Sequence, residues 1–496
     1  MMETRITRRE LLQLGLAGAA GMALTKLASA QAPQRTNGRV KNIIFMVSDG
    51  MSAGVPSLAD EFGKLVRGKG SFWYQLLQNP EATLGFFDMA ALNSLVTDSA
   101  SASSAWGSGS RIFNGQINVL PDGTRLTPIA QVVKQAGKKV GLVTTTRITH
   151  ATPAGFAAVQ PRRDDEDDIA PQYLNVVDVL MGGGLRHYAP NRRRDGKDLI
   201  KTYQEAGYTF WNSREQVLSN ARPEKVLGLF YDSHLPYTID HIHSETLQRT
   251  VPTLAEMTRK ALEILSDAPN GFLLQVEGGR VDHAAHANDA AGIMWDQLAF
   301  DDAVQVVFEF VANRDDTLMI VTSDHGNSNP GLNGMGGEYE ASNKAMALLK
   351  LAKCSFEELP NRLRNATSPD DVRAILKEQL GIEINGEEAS ALAGALKGNF
   401  PPIWNRQHRS LQGLLGQILS NYNGYGWTGT SHTADYTWIT AYGVGREEFH
   451  GLIRNTDAFY KMLKLFGLSF KNPSMTPEEA RKYMSRAPRI RTEDWA

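Results

Sequence analysis

The sequence predicts a doubly wound α/β fold, with a mostly parallel sheet flanked by helices and an inserted cap or crown-like region. Four apolar runs of strand length each end in, or shortly precede, a polar residue that can bind a metal: NIIFMVSD (42–49), VGLVTTT (140–146, before His150), FLLQVE (272–277) and LMIVTSDH (318–325). Continuous apolar runs of this kind are typical of parallel strands buried on both faces. Helical segments alternate with these runs, which is the pattern of a doubly wound sheet.

Two of the intervening helices carry clear sequence signals. Thr127-Pro128 opens the first and Gly137 closes it. The second has apolar residues at helical spacing: Ile293, Phe300, Val304, Val307 and Val311. In such folds the binding crevice lies outside the carboxyl ends of the strands, so the polar residues after the four runs are expected at one edge of the sheet.

The segment from about 335 to 425 breaks this alternation with charged, helical stretches, and we interpret it as an inserted cap over the crevice. The chain then returns to a strand, YTWITAYGV (436–444), and to a helix with Phe459, Leu463 and Phe466 on one face. The folded domain is therefore predicted to span 38–496, with the cap as an insertion.

Residues 1–30 read as a twin-arginine export signal. They combine Arg8-Arg9, an apolar run of about 14 residues that is too short to span a bilayer, and the small-residue site Ala28-Ser29-Ala30. A membrane anchor is the alternative, but the polar segment that follows favours cleavage. The mature protein is expected to be exported, periplasmic or secreted, with no stable membrane span after cleavage.

Composition narrows the class of protein. With 496 residues, 42% hydrophobic and 21% charged, the chain is an ordinary globular protein, which excludes disordered and collagen-like classes. Loss of residues 1–30 removes four basic and two acidic residues and changes the net charge from -2 to -4, so no nucleic-acid partner is indicated. Cys354 is the only cysteine, which excludes an intramolecular disulfide.

Several candidate metal ligands follow the predicted strands. VEGGRVDHAAHAND (276–289) holds Glu277, Asp282, His283 and His286, and the spacing of Asp282 and His286 puts both on one face of a helical turn. An ordinary surface ion pair is the alternative for that spacing. Three carboxylates are predicted at the sheet edge: Asp49, Glu277 and Asp324, the last followed by His325. A buried carboxylate is costly unless it is paired or bound to a metal, so these three indicate bound cations.

Two further segments add polar candidates. SLVTDSASASSAWGSGSR (94–111) places Asp98 and Ser99 where a strand would end and a helix begin, and its small residues let a substrate approach the helix terminus. His432, in GTSHTADY (429–436), is a weak candidate alone, because an isolated histidine is more often a hydrogen-bonded loop residue. The acidic run 164–168 is interpreted as a solvated turn.

Six segments resemble, in order and spacing, the signature segments of the alkaline phosphatases: NIIFMVSDGM, VTDSASASSAW, THATPAGFAAVQPRRDDED, QVEGGRVDHAAH, VTSDHG and SHT. The resemblance covers about residues 41 to 445. It implies a metal-dependent phosphomonoesterase that acts through a covalent phosphoserine, with two Zn²⁺ and one Mg²⁺, and with Co²⁺ or Zn²⁺ as alternatives at the third site. It also implies small-molecule phosphate monoesters as substrates and a homodimer.

The resemblance also assigns roles to individual residues. Ser99 matches the nucleophile, and Arg163, oriented by Asp98, matches the guanidinium that clamps the phosphate; Arg162 is the competing arginine. The implied metal ligands are Asp282, His286 and His432 for the first zinc, Asp49, Asp324 and His325 for the second, and Asp49, Thr152 and Glu277 for magnesium. His150 is expected near the magnesium site and His283 near the phosphate.

Elementary chemistry agrees with these roles, since a serine hydroxyl is a weak nucleophile unless a base or a metal activates it. The nearest enzymatic alternative is a sulfatase or phosphodiesterase of the same superfamily. Ser99 lacks the sequence context of a sulfatase nucleophile, and Thr152, Glu277 and Arg163 favour monoesters. A phosphate-binding or metal-storing protein without turnover is the alternative from another class.

Overall fold

A ten-stranded sheet forms the centre of the fold in the computed structural model, which describes residues 34–35 and 39–489. In chain order the strands are β1 (Gln34–Arg35), β2 (Asn42–Ser48), β3 (Thr83–Asp88), β4 (Lys139–Arg147), β5 (Val179–Gly183), β6 (Thr209–Trp211), β7 (Val226–Leu229), β8 (Phe272–Gly278), β9 (Thr317–Thr322), β10 (Gly326–Asn327), β11 (Gly331–Leu332), β12 (Tyr425–Gly426), β13 (His432–Thr433), β14 (Thr437–Gly443), β15 (Gly451–Arg454) and β16 (Leu468–Ser469). The large sheet has the order β15-β3-β14-β9-β2-β8-β4-β5-β7-β6, and β1/β16, β10/β13 and β11/β12 form separate pairs.

The four predicted strands are confirmed as neighbours at the centre of this sheet, in the order β9-β2-β8-β4. They pair in parallel, and along β2 the side chains alternate between two apolar cores, with Ile44 and Met46 in one and Ile43 and Phe45 in the other. Burial on both faces explains why these strands read as continuous apolar runs. The predicted strand at 436–444 is confirmed as β14, which alone runs antiparallel to its neighbours β3 and β9.

The α-helices of the described part of the chain are Val55–Arg67, Phe72–Leu77, Ser99–Ser108, Ile129–Gln135, Ala151–Ala157, Glu166–Ile169, Leu199–Glu205, Arg214–Leu218, Thr238–Ile242, Glu245–Thr250, Leu254–Leu265, Arg280–His286, Ala290–Val311, Ala341–Ala347, Leu359–Leu363, Pro369–Leu380, Gly386–Ala395, Leu411–Asn423, Asn455–Leu465 and Pro477–Ala480. Short 3-10 turns lie at Ala170–Tyr173, Leu185–His187, Leu348–Leu351, Arg406–His408, Arg446–Glu448 and Arg481–Arg486.

The sequence signals for helices are confirmed in detail. Pro128 precedes the helix Ile129–Gln135, and Gly137 follows it with a φ of +85°, a left-handed conformation that favours glycine. The helix Ala290–Val311 buries all five apolar positions predicted for it. The helix Asn455–Leu465 buries Phe459 and Leu463, as expected.

The helix Ser99–Ser108 is buried along its whole length and packs closely on the helix Ala151–Ala157. A Cβ atom added to Gly155 would lie 2.1 Å from the hydroxyl oxygen of Ser103, and one added to Gly107 would lie 2.0 Å from the carbonyl oxygen of Gly155. The run of alanines and serines therefore lets two helices approach almost backbone to backbone. This close helix packing also explains the small residues, which the sequence analysis attributed only to substrate access.

The insertion at 335–425 is helical, as predicted, and its buried leucines belong to the same apolar core as the helix Ala290–Val311. It reaches the carboxyl edge of the central strands through Glu357, whose carboxylate accepts a hydrogen bond from Arg280. Its role as a cap over the crevice stays a prediction.

The export signal predicted for residues 1–30 lies outside the described residues. Within residues 34–35 and 39–489, no helix combines the length and the apolar character needed to cross a bilayer.

Gly155→Ala tests the close contact between the two helices. The added methyl group would overlap Ser103, and overpacking of this kind costs roughly 1–3 kcal/mol. We expect a lower Tm in calorimetry, because the helix that begins at Ser99 must shift to accommodate the methyl group. Gly386→Ala is the matched control, since a Cβ atom at Gly386 meets nothing within 4 Å. An unchanged Tm for Gly155→Ala would contradict the role of this contact.

Candidate active site

Polar side chains from the central strands meet at the carboxyl edge of the sheet. Asp49 follows β2, Glu277 lies in β8, and Asp324 and His325 follow β9, and all four are buried. Gly50 turns the chain after β2 with a φ of +66°, and a Cβ atom there would lie 2.2 Å from Oδ1 of Asp282. Only glycine allows this close approach, which brings the end of β2 next to the candidate ligands on the helix Arg280–His286, which follows β8.

The first group of candidate ligands is Asp282, His286 and His432. Nε2 of His286 lies 3.3 Å from Oδ2 of Asp282 and 3.1 Å from Nε2 of His432. Nδ1 of His286 lies 2.7 Å from the carbonyl oxygen of Thr430, and Nδ1 of His432 lies 2.8 Å from that of Thr97. A carbonyl only accepts, so in both rings Nδ1 carries the proton and Nε2 presents the lone pair that a metal needs.

The second group, Asp49, Asp324 and His325, lies against the first. Nε2 of His325 is 3.2 Å from Oδ2 of Asp324 and 3.5 Å from Oδ1 of Asp49, and it lies 3.1 Å from the hydroxyl oxygen of Ser99. The rings of His325 and His432 stack with their centroids 3.6 Å apart. The predicted nucleophile therefore contacts a candidate ligand at the junction of the two groups.

The third group surrounds Asp49 and Glu277. The hydroxyl of Thr152 donates to Oδ2 of Asp49 at 3.2 Å. Oε2 of Glu277 accepts from the hydroxyls of Thr144, at 2.5 Å, and Thr146, at 3.1 Å. His150 is expected near this group but not as a ligand. One of its ring nitrogens and carboxylate oxygens of Asp49 and Glu277 all lie within 4.8 Å of one another.

These groups fit bound cations. Several of their buried atoms have no hydrogen-bond partner among the described residues, namely Oδ1 of Asp49, Oε1 of Glu277, Oδ2 of Asp282, Oδ2 of Asp324 and Nδ1 of His325. A buried carboxylate oxygen without a partner is costly, and a divalent cation supplies both the missing contact and the missing charge.

The acid–base properties of the carboxylates show the same shortage of positive charge. Burial, followed by repulsion from Asp324, raises the pKa of Asp49 well above its usual range. Burial raises the pKa of Glu277 to about 7.

Ser99 and Arg163 are brought together by Asp98. One carboxylate oxygen of Asp98 caps the helix by accepting from the backbone N–H of Ser101 at 2.8 Å. The other accepts from Nη1 of Arg163 at 3.2 Å and from the backbone N–H of Gly115 at 2.8 Å. Arg163 is buried and faces this site, whereas Arg162 is exposed. The guanidinium and the N-terminus of the helix together favour an anion beside Ser99.

Sequence reasoning missed two side chains that line this edge. The ring of His234 lies 4.4 Å from that of His283, and Nη1 of Arg280 donates to Nδ1 of His283 at 2.7 Å. His234 follows strand β7 (Val226–Leu229), so the rule used for the four central strands would have found it. Arg280 lies within the VEGGRVDHAAHAND segment, three residues before His283.

The interpretation of residues 164–168 as a solvated turn is wrong for Glu166. Glu166 is buried, and its carboxylate lies 2.7 Å from Nη2 of Arg147. Burial opposes ionisation of Glu166, but Arg147 and His187 lower its pKa to about 2. Nη1 of Arg147 in turn lies 2.5 Å from Nε2 of His234, so the acidic run supports the wall of the site. The pattern of five charged residues could not show which of them turns inward.

Comparison with known proteins identifies relatives over most of the chain. Residues 40–468 match the family model for alkaline phosphatase. Alkaline phosphatase 4 of Bacillus subtilis is 30% identical over 467 residues, which cover 90% of this chain and 93% of that protein. The crystal structure of Thermus thermophilus alkaline phosphatase aligns with a TM-score of 0.84 and 34% identity, over 93% of this chain and all of that one. That of the cold-active enzyme from Shewanella aligns with a TM-score of 0.71 and 29% identity, over 86% and 99%.

Glu277→Gln tests the shortage of positive charge through stability. In the metal-free protein, the folded state keeps the proton of Glu277 up to about pH 7, while the unfolded chain releases it near pH 4.5. Ionisation of Glu277 therefore destabilises the fold as pH rises through this window. We expect the variant to gain Tm over the wild type at pH 8 and to gain less at pH 5.

Differential scanning fluorimetry after chelation measures this difference. Adding a divalent cation at pH 8 should reverse it, because the wild type regains a ligand that the amide replaces poorly. The same Tm difference at both pH values would contradict the assignment.

Proposed function

The chain belongs to the alkaline phosphatase family and is a phosphomonoesterase, and we propose that it works through a covalent phosphoserine formed on Ser99. The observation that carries this proposal is the place of Ser99. Ser99 is the first residue of a buried helix, and its hydroxyl oxygen lies 3.1 Å from Nε2 of His325, where two groups of candidate metal ligands meet. Asp98 caps this helix and also accepts a hydrogen bond from Arg163.

The chemistry of the donors supports two Zn²⁺ and one Mg²⁺. Mixed imidazole and carboxylate sets suit zinc, so Asp282, His286 and His432 would hold the first ion and Asp49, Asp324 and His325 the second. Oxygen donors suit magnesium, so Asp49, Thr152 and Glu277 would hold the third. The nitrogen of His150 beside this oxygen set keeps Co²⁺ or Zn²⁺ as alternatives there. When bound, the ions act as Lewis acids that stabilise the charge developing during phosphoryl transfer.

The residues of the chain then account for both halves of the reaction. Oγ of Ser99 attacks phosphorus in line with the ester oxygen, so a phosphoserine bond forms while the bond to the departing alcohol breaks. Arg163 can hold two of the equatorial phosphoryl oxygens with its forked N–H groups, and Asp98 keeps that fork oriented. Water then cleaves the phosphoserine, which releases inorganic phosphate and restores the serine hydroxyl.

We place the mature enzyme outside the cytoplasm, where it acts on small-molecule phosphate monoesters. The twin-arginine signal predicted at residues 1–30 supports export, and the net charge of -4 after its removal gives no support to a nucleic-acid partner. The homodimer implied by the family is part of the same proposal. Cell fractionation and sedimentation of the cleaved protein test export and the dimer separately.

Ser99→Ala tests the nucleophile. With a chromogenic aryl phosphate between pH 7 and 10, we expect kcat to fall at least about 1,000-fold, because no other hydroxyl can replace the lost one. Chelation should abolish wild-type activity, and zinc with magnesium should restore it. Ser103→Ala is the control from the same helix, since its hydroxyl bonds to the carbonyl of Ala151 instead.

Other outcomes would favour the competing functions. Metal-loaded wild type that leaves phosphate monoesters intact but cleaves a diester or a sulfate ester would contradict the phosphomonoesterase reaction. Stoichiometric phosphate binding without any turnover would indicate a binding protein.

Arg163→Lys tests the clamp. Lysine keeps the positive charge but lacks the forked guanidinium, which can bind two phosphoryl oxygens while it also donates to Asp98. We expect at least about a tenfold weaker Ki for inorganic phosphate, since a charge-assisted hydrogen bond contributes roughly 1.5–3 kcal/mol. Arg162→Lys is the matched control because the neighbouring side chain is exposed. Equal Ki values for the two variants would exclude Arg163 as the clamp.

A further inference from the structure

We propose that Arg280, held by Glu357 of the insertion, is a positioning residue that turns His283 into a hydrogen-bond donor for the phosphoryl group. The inference rests on the proposed function and adds two residues to it. It also gives the insertion a part in substrate binding.

Arg280 is held on three sides although it lies almost wholly inside the protein, with 1% of its surface exposed. Nη1 donates to Nδ1 of His283 at 2.7 Å, and Nη2 donates to Oε2 of Glu357 at 2.6 Å. The guanidinium also stacks over the ring of Tyr237, 3.7 Å from its centroid. A buried guanidinium with this many contacts has a defined orientation, so its bond to His283 is a fixed feature of the site.

The contact with Arg280 decides which nitrogen of His283 carries the proton. A guanidinium can only donate, so Nδ1 of His283 is the acceptor and the neutral ring carries its proton on Nε2. Protonating Nδ1 as well would set two donors against each other across 2.7 Å. Nε2 is buried and has no hydrogen-bond partner among the described residues. It is therefore an N–H group that requires an acceptor, such as a phosphoryl oxygen.

The surroundings of His283 place this donor beside the phosphate clamp. His283 follows Asp282 directly, and its ring centroid lies 5.6 Å from that of His150. Nε2 of His150 lies 3.0 Å from Nη2 of Arg163. His283 also contacts His234 edge-on, with centroids 4.4 Å apart, and the ring of His234 lies 5.5 Å from that of His150. The three imidazoles thus form one compact cluster, which meets the guanidinium of Arg163 through His150.

The segment that carries Glu357 is fixed to the main fold by its backbone. The N–H of Ser355 donates to Asp240 at 2.8 Å, and that of Phe356 donates to Asp289 at 2.8 Å. These bonds hold the insertion where Glu357 meets Arg280. The insertion therefore contributes to phosphate binding through Arg280 and His283.

Phosphate affinity in metal-loaded enzyme tests the proposal. We expect Arg280→Met to weaken the Ki for inorganic phosphate about tenfold, and Glu357→Gln to weaken it less, because the ion pair is lost while a hydrogen bond remains. Glu358→Gln, the half-buried neighbour of Glu357, and Arg214→Met, from an ion pair with Glu256 elsewhere in the fold, are the controls and should leave the Ki unchanged. Unchanged Ki values for both Arg280→Met and Glu357→Gln would overturn the proposal.

A double-mutant cycle separates positioning from a general structural effect. If Arg280 acts through His283, then Arg280→Met should change the Ki less than twofold in a His283→Ala background. His283→Gln, which presents an N–H group near the place of Nε2 and needs no tautomer selected, should bind phosphate close to wild type with or without Arg280. An equal loss from Arg280→Met in all backgrounds would show that the arginine acts on the fold alone and would overturn the proposal.

The proposed function is judged independently of this inference. Wild-type turnover of an aryl phosphate, and its loss in Ser99→Ala, decide whether the enzyme is a phosphoserine phosphatase. If turnover is present and the Ki does not respond to Arg280, only the positioning role fails.

Discussion

The structure depends on the cost of burying several carboxylates at one edge of a sheet. Asp49, Glu277, Asp282 and Asp324 are fully buried at this edge, and each has an oxygen without a hydrogen-bond partner among the described residues. Burial, and after it repulsion from Asp324, raises the pKa of Asp49 and Glu277, which means that the fold is built around charges it does not itself neutralise. Divalent cations would complete it, so binding of metal and stability of the fold are coupled.

The arrangement of the sheet and its helices brings these carboxylates together. Parallel strands deliver their carboxyl ends to one edge, and apolar cores on both faces keep water from the strands themselves. Two glycines then allow the close contacts that complete the site. Gly50 lets the chain after β2 approach Asp282, and Gly155 lets the helix that begins at Ser99 lie against its neighbour. Ser99, the proposed nucleophile, is thereby held against the core, although the first seven residues of its helix are all serine or alanine.

A second layer of paired charges surrounds the candidate ligands. Each of three imidazoles contacts a guanidinium, and each of these guanidiniums contacts a carboxylate: His150 with Arg163 and Asp98, His283 with Arg280 and Glu357, and His234 with Arg147 and Glu166. Each guanidinium places positive charge near an expected anion, and its partner carboxylate offsets the cost of burying that guanidinium. The carboxylates come from three parts of the chain, including the insertion and the acidic run after Arg163.

Much of this protein could be predicted from its sequence, because the strongest signals are local. Apolar runs identified β2, β4, β8 and β9 as buried strands, and the polar residue that follows each run identified the edge where the site lies. The spacing of Asp282 and His286 on one helical turn carried the same kind of information. Tertiary structure alone decided the rest. His432 is brought to the site by the pairing of β13 with β10, and Arg280 receives its partner Glu357 from 77 residues away. Glu166 turns inward from a run of charges because Arg147 lies beneath it. Sequence periodicity reports how a segment folds on itself and which face is apolar, whereas contacts between distant segments depend on how the completed elements pack.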